Sequence, residues 1–470
     1  MSLMTLLGET PDASKADQTA AERRPGPSAA PPIGPAAEPP VGGGPGRRGL
    51  PGLIGRVHRA WFVAAVAFVA ILGAAGFRAT PGVMIEPLQA EFGWSRGAIS
   101  FAVSVNLVLY GLTAPFAAAL MDRFGMRRVV TAALVLVAAG SGFTIWMNAS
   151  WQLVATWGVL VGLGTGSMAL VFVATVTDRW FVRHRGAVTG VLTAAGATGQ
   201  LVFLPVLAHV AHGQGWRAAA LTVAGAALAV VPLVWFLLRD RPEDVGTTAL
   251  GAPPGSRTVE PVARQAGEGP AARAVRVLWE AARTRPFWYL AGGFAICGMS
   301  TNGLVGTHFI PAAHDHGMPQ TTAAGLLALI GIFDIAGTVA SGWLSDRVDP
   351  RILLGVYYAL RGASLLILPQ LFAPTTEPSM LVFVIFYGLD WVATVPPTVA
   401  LCRRIFGADG AVVFGWVFAS HQVGAAIAAV AAGVTRDQLG AYTLAWYGAG
   451  LLCVLAAVMS LRVGRRTRTA

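Results

Sequence analysis

The chemistry open to this sequence rests on a few ionisable side chains set inside long apolar runs. Asp334, Arg361 and Asp390 each fall about ten to thirteen residues into such a run, roughly 15–20 Å deep at ~1.5 Å per helical residue and so near the middle of a bilayer. An isolated ionised side chain there costs about 2.5–3.5 kcal/mol on insertion scales, so each needs a partner or a task. A midplane carboxylate suits the loading and release of a proton, and these three residues form the candidate proton-coupling set. The structural alternative is a permanent ion pair, with Arg361 neutralising Asp334 or Asp390. Asn106, Asn302, His308 and His421, with Gln422 beside it, add polarity at similar depth. They are candidate solute-binding residues, against the plainer fate of hydrogen-bonding a neighbouring helix. Arg78 lies about 18 residues into the first run, where a long side chain can also snorkel to the outer headgroups.

Other chemistries are not expected. No nucleophile with a base emerges, so the chain is not read as an enzyme. His308, His314, Asp315 and His316 match no metal-ligand register, and no cofactor is expected. Cys297, Cys402 and Cys453 fall inside apolar runs without metal-ligand spacing and are read as small core residues. Lys15 is the single lysine, leaving 34 − 1 = 33 arginines, so the folded region offers neither a phosphate-loop nor a Schiff-base lysine. The G-L-G-T-G run from Gly162 lies mid-span without a preceding strand and is read as a helix-packing surface.

The elements that must position these residues follow from composition. At 55% hydrophobic and 12% charged, with mean hydropathy +0.61, the 470 residues fall far below the ~25% charged residues of soluble domains. Apolar runs long enough to cross ~30 Å of hydrocarbon recur near 60–84, 98–120, 128–147, 151–176, 186–208 and 216–238. Six more follow near 286–312, 322–344, 351–371, 379–401, 411–433 and 441–462. The expectation is an all-α membrane protein of twelve transmembrane helices in two six-helix bundles, 53–238 and 286–463. A Pro/Gly/Ala-rich tail over 1–52, without a signal-peptide pattern, is expected to be disordered; a second short tail covers 464–470. The linker 239–285 ends in a stretch whose Val275, Leu278, Trp279 and Ala282 share one helical face, with Arg273, Arg276, Glu280 and Arg283 mostly on the other, as in an interfacial helix.

Arginine sets the orientation. The loops after the second, fourth, sixth, eighth and tenth runs hold most of the arginines, while the opposite loops hold only Arg96, Arg217 and Arg436. By the positive-inside rule both termini face the cytoplasm, in the plasma (inner) membrane. This bias explains the net charge of +11 without a nucleic-acid partner. Two of these loops carry the same phrase, A-A-L-M-D-R-F-G-M-R-R from Ala118 and G-W-L-S-D-R-V-D-P-R from Gly342, 346 − 122 = 224 residues apart. Asp122 and Asp346 are placed to meet helix N-termini, and Arg123 and Arg347 to meet headgroups. These four form a candidate gating set.

The spaced pair of loop motifs resembles that of the major facilitator superfamily, which implies two pseudo-symmetric bundles rocking about a central site. The first copy has Ala118 where the family's glycine is expected. Three further stretches resemble the branch of monocarboxylate transporters and oxalate/formate antiporters. They are G-F-R-A-T-P-G-V from Gly76 with F-G-W-S-R-G-A-I-S from Phe92, R-W-F-V-R-H-R-G-A-V-T-G from Arg179 with A-A-G-A-T-G at 194–199, and I-F-D-I-A-G from Ile332. That resemblance implies organic-anion binding at Arg78 and proton coupling at Asp334, in a small-anion and proton transporter acting as a monomer in the lipid bilayer. The monocarboxylate pattern has an arginine four residues after the aspartate, where Thr338 stands here. Alternatives are a carrier of the same fold for another solute, including efflux of a hydrophobic compound, and a non-transporting membrane receptor.

Overall fold

The computed structural model describes residues 58–79, 81–94, 96–253 and 268–464. The 1–52 tail, residues 254–267 of the linker and positions 465–470 lie outside the described residues. Eighteen α-helices follow one another: α1 (Arg59–Ala79), α2 (Pro81–Phe92), α3 (Arg96–Phe124), α4 (Met126–Phe143), α5 (Ser150–Leu153), α6 (Gly162–Ser167), α7 (Leu170–Trp180), α8 (Arg185–Gln214) and α9 (Trp216–Leu237). After the linker come α10 (Pro270–Ala282), α11 (Arg285–Gly298), α12 (Gly306–Asp315), α13 (Gln320–Ser345), α14 (Pro350–Ile367), α15 (Pro378–Asp390), α16 (Val395–Phe406), α17 (Gly410–Leu439) and α18 (Thr443–Arg462). Joined end to end where they share an axis, they make twelve long rods and the short α10.

Length and composition alone mark ten spans. The stretch Pro378–Leu439 counts there as one span, although it holds two rods, α15 with α16 and then α17, parted at Gly407. The α11–α12 rod falls short because Ser300, Thr301, Asn302 and several glycines dilute its apolar character. Large apolar side chains such as Phe101, Phe236, Phe386, Val430 and Leu451 stay exposed on the outside, as residues facing hydrocarbon must. Buried apolar residues form two clusters. One runs from Ala60 to Leu238; the other lies mainly between Ala274 and Val463 and is joined by Ala114, Ala118 and Ala174 of α3 and α7.

The two halves meet where side chains are smallest. A Cβ on Gly186 of α8 would stand 2.3 Å from the Gly342 carbonyl oxygen of α13, and one on Gly342 would stand 2.3 Å from the Gly186 oxygen. Only glycine lets these backbones cross so closely. The partner crossing sets Gly415 of α17 against Pro115 of α3, again with room for no side chain, at 2.6 Å.

Helix α10 corrects one expectation. Arg273, expected with the mostly polar face, is 7% exposed and packs inward with Ala274, Val277 and Ala281. Two carboxylates wait there: its guanidinium bonds Asp122 Oδ2 at 2.5 Å and Asp409 Oδ1 at 2.8 Å. Val275 and Trp279 remain exposed.

Candidate functional site

Three rods are irregular along their length. The fourth passes through a wide π-helical turn at Val154–Val161 and breaks near Met168; the seventh carries a π turn at Met299–Val305; the tenth opens into a turn between α15 and α16. Irregular backbone at membrane depth is tolerated where protein or a cavity satisfies it. A cavity of about 160 Å³ lies there, bounded by Tyr110, Leu170 and Gln200 from one half and by Cys297, Asn302, Asp334, Trp391, His421 and Gln422 from the other.

The break in the tenth rod follows from its sequence. Pro396 and Pro397 have no N–H to give to the carbonyls of Val392 and Ala393 four residues back, so the ladder opens. The carbonyls of residues 390–393 and one N–H then find partners, as buried backbone requires. The Val392 carbonyl accepts from Val395 N at 2.9 Å, and the Ala393 carbonyl accepts from the Ser341 hydroxyl. The carbonyls of Asp390 and Trp391 accept from Arg361 Nη2. The Val392 N–H donates to Asp334 Oδ1 at 3.0 Å.

Arg361 is thus the hub of this region, 1% exposed. Besides those carbonyls, its Nε donates to Asp390 Oδ2 at 2.6 Å and its Nη1 to Cys297 Sγ at 2.9 Å. The aspartate it neutralises is Asp390, so the alternative of an Asp334–Arg361 pair gives way to one between α14 and α15. Asp334, 2% exposed, accepts instead from the Thr338 hydroxyl at 2.8 Å and from Val392 N. Thr338, standing where the resembled pattern has an arginine, supplies a neutral donor one helical turn away.

The structure brings Asn302, Asp334 and His421 together at the cavity wall. It places Asn106 elsewhere: fully buried, its Nδ2 donates to the Trp157 carbonyl at 3.0 Å, tying α3 to the fourth rod. His308 lies within hydrogen-bond distance, 2.9 Å, of the Ala429 carbonyl on α17, with its ring 5.2 Å from that of Tyr442. Both make interhelical hydrogen bonds, and neither is among the residues that bound this cavity. The side chain of Arg78 lies outside the described residues. Sequence reasoning passed over Tyr110, Gln200 and Trp391, and it read Cys297 as inert core. The signal for Trp391 was the Pro396–Pro397 pair a few residues on; Tyr110, Gln200 and Cys297 carried none.

At the motif end, Asp122 bonds Arg179 Nη2 at 2.6 Å as well as Arg273. Burial disfavours the charged form of Arg273, yet Asp122 and Asp409 outweigh it and raise its pKa above the ordinary value. Asp346 accepts two backbone N–H groups at the start of α8, Gly186 N at 2.7 Å and Ala187 N at 3.0 Å. That is the anion-at-N-terminus arrangement which the helix dipole favours. Arg403 pairs across the halves with Asp178 at 3.1 Å. Arg123 donates to the Glu268 carbonyl at 3.2 Å, and Arg347 stacks 3.8 Å over the Trp343 ring. In the loop after α13, bonds from the Arg351 side chain hold the Asp349 carboxyl below the ordinary range, against the opposing effect of burial.

With this geometry in hand, comparison gives the class of protein. The family model described as Major Facilitator Superfamily matches residues 66–412. The chain belongs to that superfamily and is a multi-pass membrane transporter of its fold. Relatives include the uncharacterized MFS-type transporter YcxA of Bacillus subtilis, 26% identical over 82% of this chain and 90% of that one. Monocarboxylate transporter 13 of Rattus norvegicus is 27% identical over 83% and 85%, and a gallate transporter of Pseudomonas putida is 24% identical over 68% and 73%. Among solved structures, the E. coli fucose:proton symporter FucP superposes with TM-score 0.61 at 16% identity, covering 85% of this chain and 98% of that one. The proton:xylose symporter XylE superposes with TM-score 0.64, also at 16% identity, covering 86% and 96%.

Proposed function

We propose that this protein is a secondary active transporter that carries a small monocarboxylate together with protons, by alternating access about the central cavity. The observation that carries this reading is Asp334. It faces the cavity with only neutral donors on it, Thr338 and Val392 N, while the nearby Arg361 is committed to Asp390. Asp334 is therefore the carboxylate free to take and release a proton. Loading one proton on it and one anion in the cavity leaves the net charge of the cluster unchanged, so the loaded and empty proteins can both reorient across a low-dielectric membrane.

Size supports the substrate class. A cavity near 150 Å³ holds a benzene, so about 160 Å³ admits a short-chain or single-ring monocarboxylate. Tyr110, Phe294, Trp391 and Phe418 line it and offer flat apolar surface beside the polar groups. The names of two relatives, a monocarboxylate transporter and a gallate transporter, agree with that class. In this reading the motif end faces the cytoplasm, both termini lie on that side of the plasma (inner) membrane, and one chain is the working unit. Exposed Val275 and Trp279 lay α10 on the inner leaflet.

The test is uptake of radiolabelled lactate and benzoate into proteoliposomes under an imposed pH gradient. Wild type accumulates substrate; Asp334→Asn, which fixes the neutral form, keeps exchange but loses gradient-driven accumulation. No movement of any carboxylate would end the substrate reading, and full accumulation by Asp334→Asn would end the coupling role.

A further inference from the structure

Arg361 and Cys297 stand in an order that the reading above does not use. Cys297 lines the central cavity, whereas Arg361 lies behind it. Three of the guanidinium's contacts are structural: Nε holds Asp390, and Nη2 closes the opened carbonyls of Asp390 and Trp391. Nη1 alone meets the side chain of a cavity-lining residue, and that partner is the Cys297 sulfur. Sulfur is a weak acceptor, while a carboxylate on a guanidinium makes one of the strongest charge-assisted bonds available to a protein. The sulfur sits also 3.3 Å from the Thr394 hydroxyl, so it has a second partner to turn to when it leaves Nη1.

A second observation points to a ligand at the same wall. His421 lines the cavity, is 8% exposed, and its Nδ1 has no hydrogen-bond partner among the described residues. A buried nitrogen left unpaired is costly unless something arrives to meet it. The His421 ring is held between those of Phe294, 5.0 Å away, and Phe418, 6.1 Å away, so it is not free to swing out to water.

We propose that Cys297 is a specificity-determining residue of the central cavity: its sulfur occupies the position on Arg361 Nη1 that a substrate carboxylate takes, with His421 as the second anchor. The proposal rests on the monocarboxylate reading and deepens it. In the empty protein the thiol screens a buried cation from the cavity. An entering carboxylate displaces the sulfur onto Thr394 and accepts from Nη1. A neutral solute of the same shape has nothing to exchange for that contact and leaves the thiol in place. Discrimination between anion and neutral analogue is thereby set by the side chain that stands between the cavity and the guanidinium.

The experiment uses the full-length protein in proteoliposomes. Methyl methanethiosulfonate transfers a methylthio group to a thiol, forming a mixed disulfide and releasing methanesulfinate and a proton. Intact mass and peptide mapping then count and locate the labels. Cys402 and Cys453 are fully buried and do not line the cavity, so they serve as internal controls. One label per chain is expected, at Cys297. Saturating benzoate is expected to slow labelling about tenfold, and benzyl alcohol, of like size and uncharged, to leave the rate nearly unchanged.

Binding of radiolabelled benzoate gives an independent arm. Cys297→Ala removes the competing sulfur and is expected to tighten benzoate several-fold. Cys297→Leu fills the path to Nη1 and is expected to weaken it about tenfold or more. The proposal is overturned if wild type binds benzoate while labelling proceeds at its unprotected rate. Equal protection by benzyl alcohol also overturns it, as do Ala and Leu variants that both bind like wild type. If wild type neither binds nor moves benzoate, lactate or pyruvate, the monocarboxylate reading has failed and the proposal falls with it. That outcome is distinct from intact carboxylate transport with an indifferent Cys297.

Discussion

The two copies of the loop motif do the same jobs with different parts. Position for position at a spacing of 224, Asp122 answers to Asp346, Gly125 to Asp349 (349 − 125 = 224) and Arg127 to Arg351 (351 − 127 = 224). In the second copy the loop caps its own helix, since Asp349 accepts from Arg351 N at 3.0 Å. In the first copy the cap comes from far along the chain. Gly125, at φ 89, clears the space, and Asp240 Oδ1 accepts from Arg127 N at 2.8 Å; a Cβ on Gly125 would lie 2.2 Å from the Asp240 carboxylate.

The arginines diverge in the same way. Arg179 follows Asp122 by 57 positions and pairs with it. Arg403 follows Asp346 by the same interval, 403 − 346 = 57, yet turns to Asp178 in the other half. Asp346 meets a helix N-terminus across the seam instead. These contacts of the second copy join the halves directly, whereas the first copy reaches across through Arg273 of the linker helix and Asp409, just before α17. A repeated phrase therefore fixes what must be satisfied at a helix end and leaves open who satisfies it.

The largest test of this contrast is steric. Gly342→Leu places carbon where the Gly186 carbonyl oxygen now lies and is expected to destabilise the protein by about 1–3 kcal/mol or more, read as a lowered melting temperature in detergent. The equivalent position in the first copy, Ala118, already carries a Cβ, and Ala118→Gly is expected to cost no more than about 1 kcal/mol. Equal losses from the two changes would refute the asymmetry of the crossings.

Next in size is the charge contrast. Asp122→Asn leaves Arg179 and Arg273, with side chains 10% and 9% exposed, without their shared anion, and an expected loss of about 1–3 kcal/mol follows. Asp346→Asn keeps an oxygen for one N–H and loses the charge at the start of α8, a cost of about 0.3–1 kcal/mol, up to ~2 if partly buried. Labelling of single cysteines introduced at the motif end should rise for both variants, and more for Asp122→Asn. The reverse order would mean that Asp346 is the stronger fastening.

The smallest effect concerns pH. Because Arg351 lowers the Asp349 carboxyl in the folded protein, its contribution is present above the unfolded aspartate pKa of ~3.9 and is lost as pH falls through the lowered folded value. Wild type and Asp349→Asn should differ slightly in melting temperature at pH 6 and converge toward pH 3. A gap that widens on acidification would contradict this sign.

Fold and site were legible in the sequence to different degrees. Runs of apolar residues of spanning length located all twelve rods, because hydropathy over a helix is a local property that needs no knowledge of neighbours. The repeated loop phrase announced the two halves for a similar reason: a helix end must be satisfied wherever the helix packs. The depth of Asp334, Arg361 and Asp390 could be counted residue by residue. Which aspartate Arg361 takes could not, since that depends on the rotation and packing of α13, α14 and the tenth rod, contacts between residues far apart in the chain.

Pro396 and Pro397 stand inside the 379–401 run, which hydropathy reads as one unbroken span, and only the tertiary structure revealed the break and supplied Arg361, Ser341 and Asp334 to its loose carbonyls and N–H. It also ties Asn106 and His308 to backbone carbonyls of neighbouring helices and sets Cys297 at the cavity wall. Equal depth in a membrane places polar residues on one level, while the direction in which each helix faces decides whether they meet a cavity, a neighbouring backbone or one another.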